Sequence, residues 1–214
     1  MRKFPLAFAA IVLSVSMAWA GNINSVRDLA EELKNAQKGR LTSADITLLD
    51  IRIGQETLDD VRSRLGNTKS FREPPNSASA EEEICYSSTN PSDETHVLFG
   101  SGPMGGWSYV TTFQVLSLAP KELPCTPASR ISRFVATESG IRLGMPMKEL
   151  RAKFGSPSEQ GPGFVIYSFE QKSDHPKRKE FDMLSGLLAT VANDRVTSFQ
   201  IFLIESNYDD ENHA

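Results

Sequence analysis

The sequence has few of the residues on which most catalytic and metal sites depend. Its 214 residues include only two cysteines and three histidines. It contains no H-E-x-x-H zinc motif, no G-x-S-x-G nucleophile motif, no P-loop and no calcium-binding loop. We therefore expect no catalytic, cofactor-binding or metal-binding residues, and we predict that the protein is not an enzyme.

The small clusters of acidic residues and histidine do not change this expectation. His96 follows Asp93 and Glu94, and His175 follows Asp174. Either cluster could serve as an acid–base or metal site, but both lie in polar stretches that are typical of solvated turns. The acidic run at 81–83 is interpreted in the same way, as the polar start of a strand rather than a calcium site.

Positive charge is also scarce. The chain has 23 Lys and Arg against 27 Asp and Glu, a net charge of -4. Nucleic-acid-binding proteins need clustered Lys and Arg for their phosphate contacts. The one basic run, His175–Glu180, is interpreted as a solvated loop, with a docking patch as the alternative. We expect no nucleic-acid partner.

The one long apolar run of the sequence lies at its start. Arg2 and Lys3 precede the apolar stretch Pro5–Met17, and Ala18-Trp19-Ala20 has the small-x-small pattern of a cleavage site. This pattern predicts a secretory signal peptide, cut after Ala20, and a periplasmic or secreted protein of net charge about -6 with no stable membrane span. The alternative is an uncleaved N-terminal anchor. No cysteine lies near the cut, so lipid attachment there is chemically unavailable.

Because an exported protein folds in an oxidising compartment, the two cysteines, Cys85 and Cys125, can be expected to form a bond. An even pair in an oxidising compartment predicts a disulfide. Closing a loop of about 40 residues would stabilise the fold by about 3–4 kcal/mol in the chain-entropy estimate. The alternative is two structural free thiols. A catalytic redox pair is disfavoured because neither cysteine lies in a C-x-x-C motif.

Three segments of the chain occur twice, in the same order. Their sequences match after one inserted residue near Gln55, and together they predict a tandem duplication of about 85–90 residues. The matching pairs are VTTFQVLSL from Val110 with VTSFQIFLI from Val196, Ile51–Gly66 with Ile141–Gly155, and Ile84–Ser88 with Val165–Phe169.

Each copy predicts one short helix and three strands. The helices have apolar stripes at helical spacing, with Thr57 as N-cap of the first, Pro146 at the start of the second, and a glycine after each. The stripes are Leu58, Val61 and Leu65, and Met147, Leu150 and Phe154. The predicted strands are 82–88, 95–100, 108–118, 164–170, 181–192 and 195–204, with a tight hairpin at Asn193-Asp194.

These elements predict an α+β fold of two tandem modules, each a helix packed on a three-stranded antiparallel sheet. The predicted organisation is a signal peptide (1–20), an N-terminal helical segment (21–45) that includes the amphipathic helix Ser25–Gln37, module 1 (46–118), a proline-rich connector (119–137), module 2 (138–206) and a flexible acidic tail (207–214).

The repeated strand predicts one buried and one mixed face. Phe113 and Phe199 are expected in the helix-covered core, with Thr111, Val115, Thr197, Ile201 and Leu203. The opposite faces, which carry Val110, Leu116, Val196 and Phe202 among others, are half polar and half apolar. A solvated face should be more polar, so we expect the other module, the N-terminal helix or an external partner to cover part of them.

The segment IRLGMPMKELRAKFGSP (Ile141–Pro157) resembles the SmpA/OmlA module, which occurs in the outer-membrane assembly lipoprotein BamE. Tandem copies of a similar fold form the β-lactamase-inhibitory proteins. The best matches are Gly144, Leu150, Phe154, Gly155 and Pro157 in the second copy, and Gly54, Val61, Leu65 and Gly66 in the first. The first copy departs at Asn67-Thr68, where proline is expected, and the chain has no lipobox cysteine.

The resemblance covers roughly residues 46–205 and implies a module used for protein binding, without catalysis. The matched residues form the fold. No inhibitor contact residue can be matched, so β-lactamase inhibition is not carried over.

The loop Gly100–Tyr109 interrupts a hairpin that is tight in the second copy, and it places Met104 and Trp107 among four glycines. Large apolar groups on such loops are common binding hot spots, although both could instead cover the sheet. We predict a non-catalytic, exported protein-binding module of the cell envelope, with Met104, Trp107, Tyr109, Leu116 and Phe202 as candidate contacts. The alternatives are a carrier of a lipid or small apolar ligand between the modules, and a periplasmic hydrolase.

Overall fold

The computed structural model describes residues 36–73, 81–102, 109–118, 124–172 and 181–205. Several predicted features lie outside these residues. They are the signal peptide, all but the end of the helix Ser25–Gln37, Met104 and Trp107, the basic run His175–Glu180, and the acidic tail.

The predicted fold class is wrong. The described part of the protein is mostly β, with 47% of those residues in strands. Ten strands belong to one large mixed sheet, so the chain is not a pair of separate helix-plus-three-strand modules. The prediction failed because sequence periodicity identifies strands but does not show which strand edges pair with one another.

Twelve strands and two helices make up the described part of the chain. The strands are β1 (Gln37–Lys38), β2 (Thr47–Leu48), β3 (Ile51–Arg52), β4 (Ser70–Glu73), β5 (Glu81–Ser88), β6 (His96–Ser101), β7 (Thr112–Leu116), β8 (Thr126–Ala128), β9 (Glu159–Gly161), β10 (Phe164–Lys172), β11 (Phe181–Ala192) and β12 (Arg195–Glu205). The helices are α1 (Leu58–Leu65) and α2 (Met147–Phe154). Neither helix is long and apolar enough to cross a membrane.

The large sheet runs in the order β1-β10-β11-β12-β7-β6-β5-β4, with β8 added to β5 and β9 added to β10. β1 and β8 pair in parallel, and the other pairs are antiparallel. β2 and β3 form a separate small hairpin. We call residues 37–116 the first half and residues 126–205 the second half.

Both helices begin and end where the sequence predicts. Thr57 caps α1 in a capping box, in which Asp60 accepts from the Thr57 backbone and donates its own amide to the Thr57 hydroxyl. Gly66 and Gly155 end α1 and α2 with positive φ values of 105° and 77°. Each helix buries the predicted stripe against the sheet, although Phe154 is only partly buried.

The two halves join edge to edge through β7 and β12. Gln114 lies opposite Gln200, Phe113 opposite Ile201, and Val115 opposite Phe199. In the repeated strand, each residue of the first copy is matched 86 residues later, so Gln114 is matched by Gln200 itself. The pairing is therefore the same when read from either half, and a local two-fold axis passes through the glutamine pair.

The layer over the core face of the sheet repeats in the same way. The amide of Gly54 donates to the Val110 carbonyl at 2.8 Å, and the amide of Gly144 donates to the Val196 carbonyl at 2.8 Å. The β2–β3 hairpin is matched by a bridge between Ala136 and Arg142. Leu48 bridges Thr137, its own counterpart, so the same local axis passes through this layer.

The strands that lead into each half are exchanged. β1 precedes the first half but pairs with β10 of the second, and β8 precedes the second half but pairs with β5 of the first. β4 pairs with residues 81–84 of β5, and β9 pairs with residues 164–166 of β10. Both outer long strands are therefore covered by two short segments each, which blocks further strand addition there.

The core lies between the sheet and the helical layer. Phe113 and Phe199 are fully buried and pack edge to face with ring centroids 6.5 Å apart. Val110 and Val196, expected on the opposite face, are buried in this core. The reason is local: Val110 precedes β7 and bonds to the Gly54 turn, and a bulge in β11 after Thr190 shifts the pairing of Val196.

Candidate binding surfaces

The side of the sheet that faces away from the helices, which we call the outer face, has a symmetric centre. Its middle row is Leu188, Gln200, Gln114 and Leu98, one residue from each of four neighbouring strands. Leu116 and Phe202 lie on either side of this row at matching positions, and both are half-buried. The row thus has two amides at its centre and apolar residues around them.

The polar side chains of this face are only partly engaged with one another. The Gln200 amide donates to the Thr112 hydroxyl at 3.2 Å, and that hydroxyl donates to the Ile201 carbonyl at 2.9 Å. Thr190 and Ser198 share a hydroxyl hydrogen bond of 2.7 Å. Within the described part of the chain, the Gln114 side chain has no hydrogen-bond partner, so its amide is available to a partner or to water.

Two glycines let neighbouring side chains lie flat on the outer face. A Cβ atom at Gly186 would lie 2.4 Å from Cζ of Phe202, and one at Gly100 would lie 2.7 Å from Cγ2 of Thr112. The absence of a side chain at Gly186 therefore leaves space for the Phe202 ring to lie over β11, which makes this part of the face flatter.

Of the five predicted contact residues, three lie in the described part of the chain. Leu116 and Phe202 share the outer face on the adjacent strands β7 and β12. Tyr109 is 45% exposed and lies just before β7. Met104 and Trp107 lie outside the described residues.

The disulfide joins the first half to the residue that precedes β8. Cys85 and Cys125 are joined, with a Cα–Cα distance of 4.5 Å. Cys85 is fully buried in β5, and Cys125 immediately precedes β8. The bond therefore fixes the start of the exchanged strand β8 against β5. The matching position of Cys85 in the second half is Ile166, so no such bond can form there.

The most exposed large apolar residue in the described part of the chain is Phe134, which sequence reasoning missed. Phe134 is 76% exposed. The Arg133 guanidinium lies over its ring, 5.0 Å from the ring centroid, which is cation–π geometry. The signal that could have identified it is the apolar pattern of ISRFV, in which Ile131 and Val135 are buried while Phe134 lies between them and is exposed.

The Phe134 loop, residues 129–135, is held in place along its length. Ile131 and Val135 are buried, and their amides donate to the carbonyls of Ala128 and Ser132 at 3.0 and 2.9 Å. The Arg133 amide donates to the Asp93 carboxylate at 2.8 Å. Because the backbone on both sides of Phe134 is fixed, its ring is presented from a rigid support.

Asp93 links this loop to the β5–β6 turn. Its other carboxylate oxygen accepts from the amide and hydroxyl of Thr95 at 3.1 and 2.6 Å. Burial raises the pKa of Asp93, but the hydrogen bonds from Thr95 and Arg133 outweigh it and hold the pKa below its ordinary value. The carboxylate therefore stays ionised and continues to hold the loop at neutral pH.

The matching turn of the first half contains Asp45, whose amide donates to the Thr42 carbonyl as the Val135 amide donates to the Ser132 carbonyl; the position that corresponds to Phe134 itself is Ala44. Asp45 is only 2% exposed. Its Oδ2 accepts from the amide and hydroxyl of Thr42 at 2.8 and 2.6 Å. Its Oδ1 makes no hydrogen bond of good geometry within the described residues but is 3.0 Å from Nζ of Lys153 on α2.

The electrostatics of this corner favour ionised Asp45. Burial alone raises the pKa of Asp45, but hydrogen bonds from Thr42, Ser139 and Lys153 together lower it below the ordinary value. The ion pair therefore fastens the segment before β2 in the first half to the helix of the second half.

The polar residues considered as possible chemical sites lie in turns or at strand ends. Nδ1 of His96 is 2.7 Å from the Glu94 carbonyl. His175 lies outside the described residues. Among the residues that the structure describes, no three His, Cys, Asp or Glu side chains are grouped as metal ligands.

The carrier alternative assumed two modules with a ligand between them. The two halves instead share one sheet through β7 and β12, so they are not two separate modules with a space between them. Comparison with known proteins adds no further assignment, because no family model, curated protein or solved structure matches the chain significantly.

Proposed function

We propose that this chain is an exported, non-catalytic protein-binding protein of the cell envelope, and that the outer face around Gln114 and Gln200 is a contact surface. The observation that supports this proposal is the matched placement of Leu116 and Phe202 on that face. A protein interface combines apolar residues near its centre with polar groups that can bond across it. The half-buried Leu116 and Phe202 and the free Gln114 amide provide this combination.

Export is the second part of the proposal. The N-terminal sequence has the signal-peptide pattern, and a disulfide between Cys85 and Cys125 is compatible with an oxidising compartment. Cell fractionation with N-terminal sequencing tests it. The expected mature chain begins at Gly21 in the periplasmic or secreted fraction; an intact N-terminus in the cytoplasm would disprove export.

Site-specific photocrosslinking tests the contact surface. A photoreactive phenylalanine analogue is placed at Leu116 or at Phe202, and the matched control carries it at Lys148, an exposed position on α2 over the other side of the sheet. We expect crosslinked protein adducts from 116 and 202 and none from 148. Equal labelling at all three positions, or labelling at none, would disprove the surface.

A further inference from the structure

We propose that the Phe134 loop is a second, preformed docking element for a protein partner, with Phe134 entering an apolar pocket that has a carboxylate at its rim. The inference rests on the proposed protein-binding function and names a separate surface and the chemistry of the partner. The structural basis is the 76% exposure of Phe134 on a loop whose backbone is held on both sides, with the Arg133 guanidinium over its ring.

Folding does not require an aromatic residue at this position. Burying a phenylalanine stabilises a fold by about 1.5–3 kcal/mol, and an exposed one forgoes that gain. The matching turn of the first half forms with Ala44 at the corresponding position, so the turn itself needs no aromatic side chain. Phe134 nevertheless projects outward between the buried Ile131 and Val135.

The loop meets the structural requirements of a binding hot spot. Hot-spot aromatics bind tightly when they are held in the bound conformation beforehand, because less conformational entropy is lost on association. The hydrogen bonds to Asp93 and Ala128 and the nearby disulfide fix the backbone around Phe134.

The charge of Arg133 indicates which charge we expect on the partner's surface. Its guanidinium lies against the Phe134 ring and makes no ion pair within the described residues, whereas nearby Arg130 is paired with Asp50 at 2.7 Å. A guanidinium carried into an interface needs a carboxylate or similar acceptor, because an unpaired buried charge is costly. A partner that accommodates the ring must therefore present an acidic group beside its pocket.

The test has two steps. The photoreactive analogue is first placed at position 134 of the full chain in its native envelope, with Leu118, which is 67% exposed, as the matched control position. The partner segment attached at 134 is identified by mass spectrometry and synthesised. Its affinity is then measured for the wild type and for Phe134→Ser, Arg133→Glu and Leu118→Ser.

We expect the segment to contain Asp or Glu beside apolar residues. We also expect Phe134→Ser and Arg133→Glu each to weaken its binding roughly tenfold or more, with Leu118→Ser unchanged. Because Phe134 is exposed, Phe134→Ser should leave the melting temperature unchanged, so a loss of binding would not reflect unfolding.

Other outcomes overturn the inference. Adducts at 116 and 202 without any at 134 would disprove this docking element and leave the proposed function intact, whereas no adduct at any position would disprove both. Attachment of a second copy of this chain, a basic partner segment, or binding unaffected by Arg133→Glu would each disprove the partner chemistry.

Discussion

The two corners that contain Asp45 and Phe134 occupy matching places in the fold but serve opposite purposes. At the first, an acidic residue is buried and neutralised by a lysine from the other half. At the second, an aromatic residue is exposed, and Arg64, the counterpart of Lys153, turns to Glu56 and to the Asp50 carbonyl instead. The repeated backbone thus carries a buried ion pair in one copy and an exposed aromatic side chain in the other.

The largest expected difference between the halves comes from the disulfide, which holds β8 against β5 and has no counterpart at β10. Replacing both Cys85 and Cys125 with alanine should lower the free energy of unfolding by about 3–4 kcal/mol, since a loop of about 40 residues is no longer closed in the unfolded chain. Denaturant unfolding with tryptophan fluorescence measures this. A loss below about 1 kcal/mol would mean that β8 is held by its hydrogen bonds to β5 alone.

The ion pair at the Asp45 corner predicts a smaller effect. Lys153→Met should destabilise the protein by about 1–3 kcal/mol, because Asp45 would remain buried with one oxygen unpaired. The matched Arg64→Met should cost less than about 1 kcal/mol, since the Arg64 contacts are near the surface. Equal losses in thermal unfolding would contradict the distinction between the two corners.

The same corner should respond to acid. The pKa of Asp45 in the fold lies below its unfolded value of about 3.8, so its contribution to stability is present above that pH and disappears as the pH falls through the lower folded value. The stability difference between wild type and Asp45→Asn, measured from pH 6 to pH 2, should therefore shrink below about pH 3.8. A constant difference would show that the charge of Asp45 does not stabilise the fold.

The smallest contrast concerns two tyrosines that the repeat places at matching positions. The Tyr86 hydroxyl donates to the Gly66 carbonyl at 2.7 Å, whereas the buried Tyr167 hydroxyl has no hydrogen-bond partner within the described residues. Tyr86→Phe should cost about 1 kcal/mol, and Tyr167→Phe should be neutral or slightly stabilising. Chemical denaturation of both variants checks this, and a clear loss for Tyr167→Phe would indicate a bound water or another partner.

Local features of the sequence were enough to predict the helices and the long strands. The capping residues and apolar stripes of α1 and α2 lie within a single turn or two, and the hairpin at Asn193 and Asp194 uses positive φ values that asparagine and aspartate tolerate. The strands of two to four residues, such as β1 and β9, were missed because they are too short to show alternation.

The joining of the halves and the roles of the two corners could not be read from local sequence. Nothing around Gln114 shows that its strand pairs with a strand 86 residues away. Sequence rules also place an aspartate outside and a phenylalanine inside, and the structure reverses both. The buried Asp45 is held partly by its neighbour Thr42 and partly by Lys153, which lies 108 residues later and cannot be identified as its partner from local sequence.

The exchange of β1 and β8 has a mechanical consequence. Each half supplies a short strand to the outer edge of the sheet in the other half. Neither half can therefore separate or unfold without breaking strand pairing in the other. The described residues should consequently unfold in one cooperative transition, and a protease nick in the connector between β7 and β8 should leave the two fragments associated in native buffer even after the Cys85–Cys125 bond is reduced.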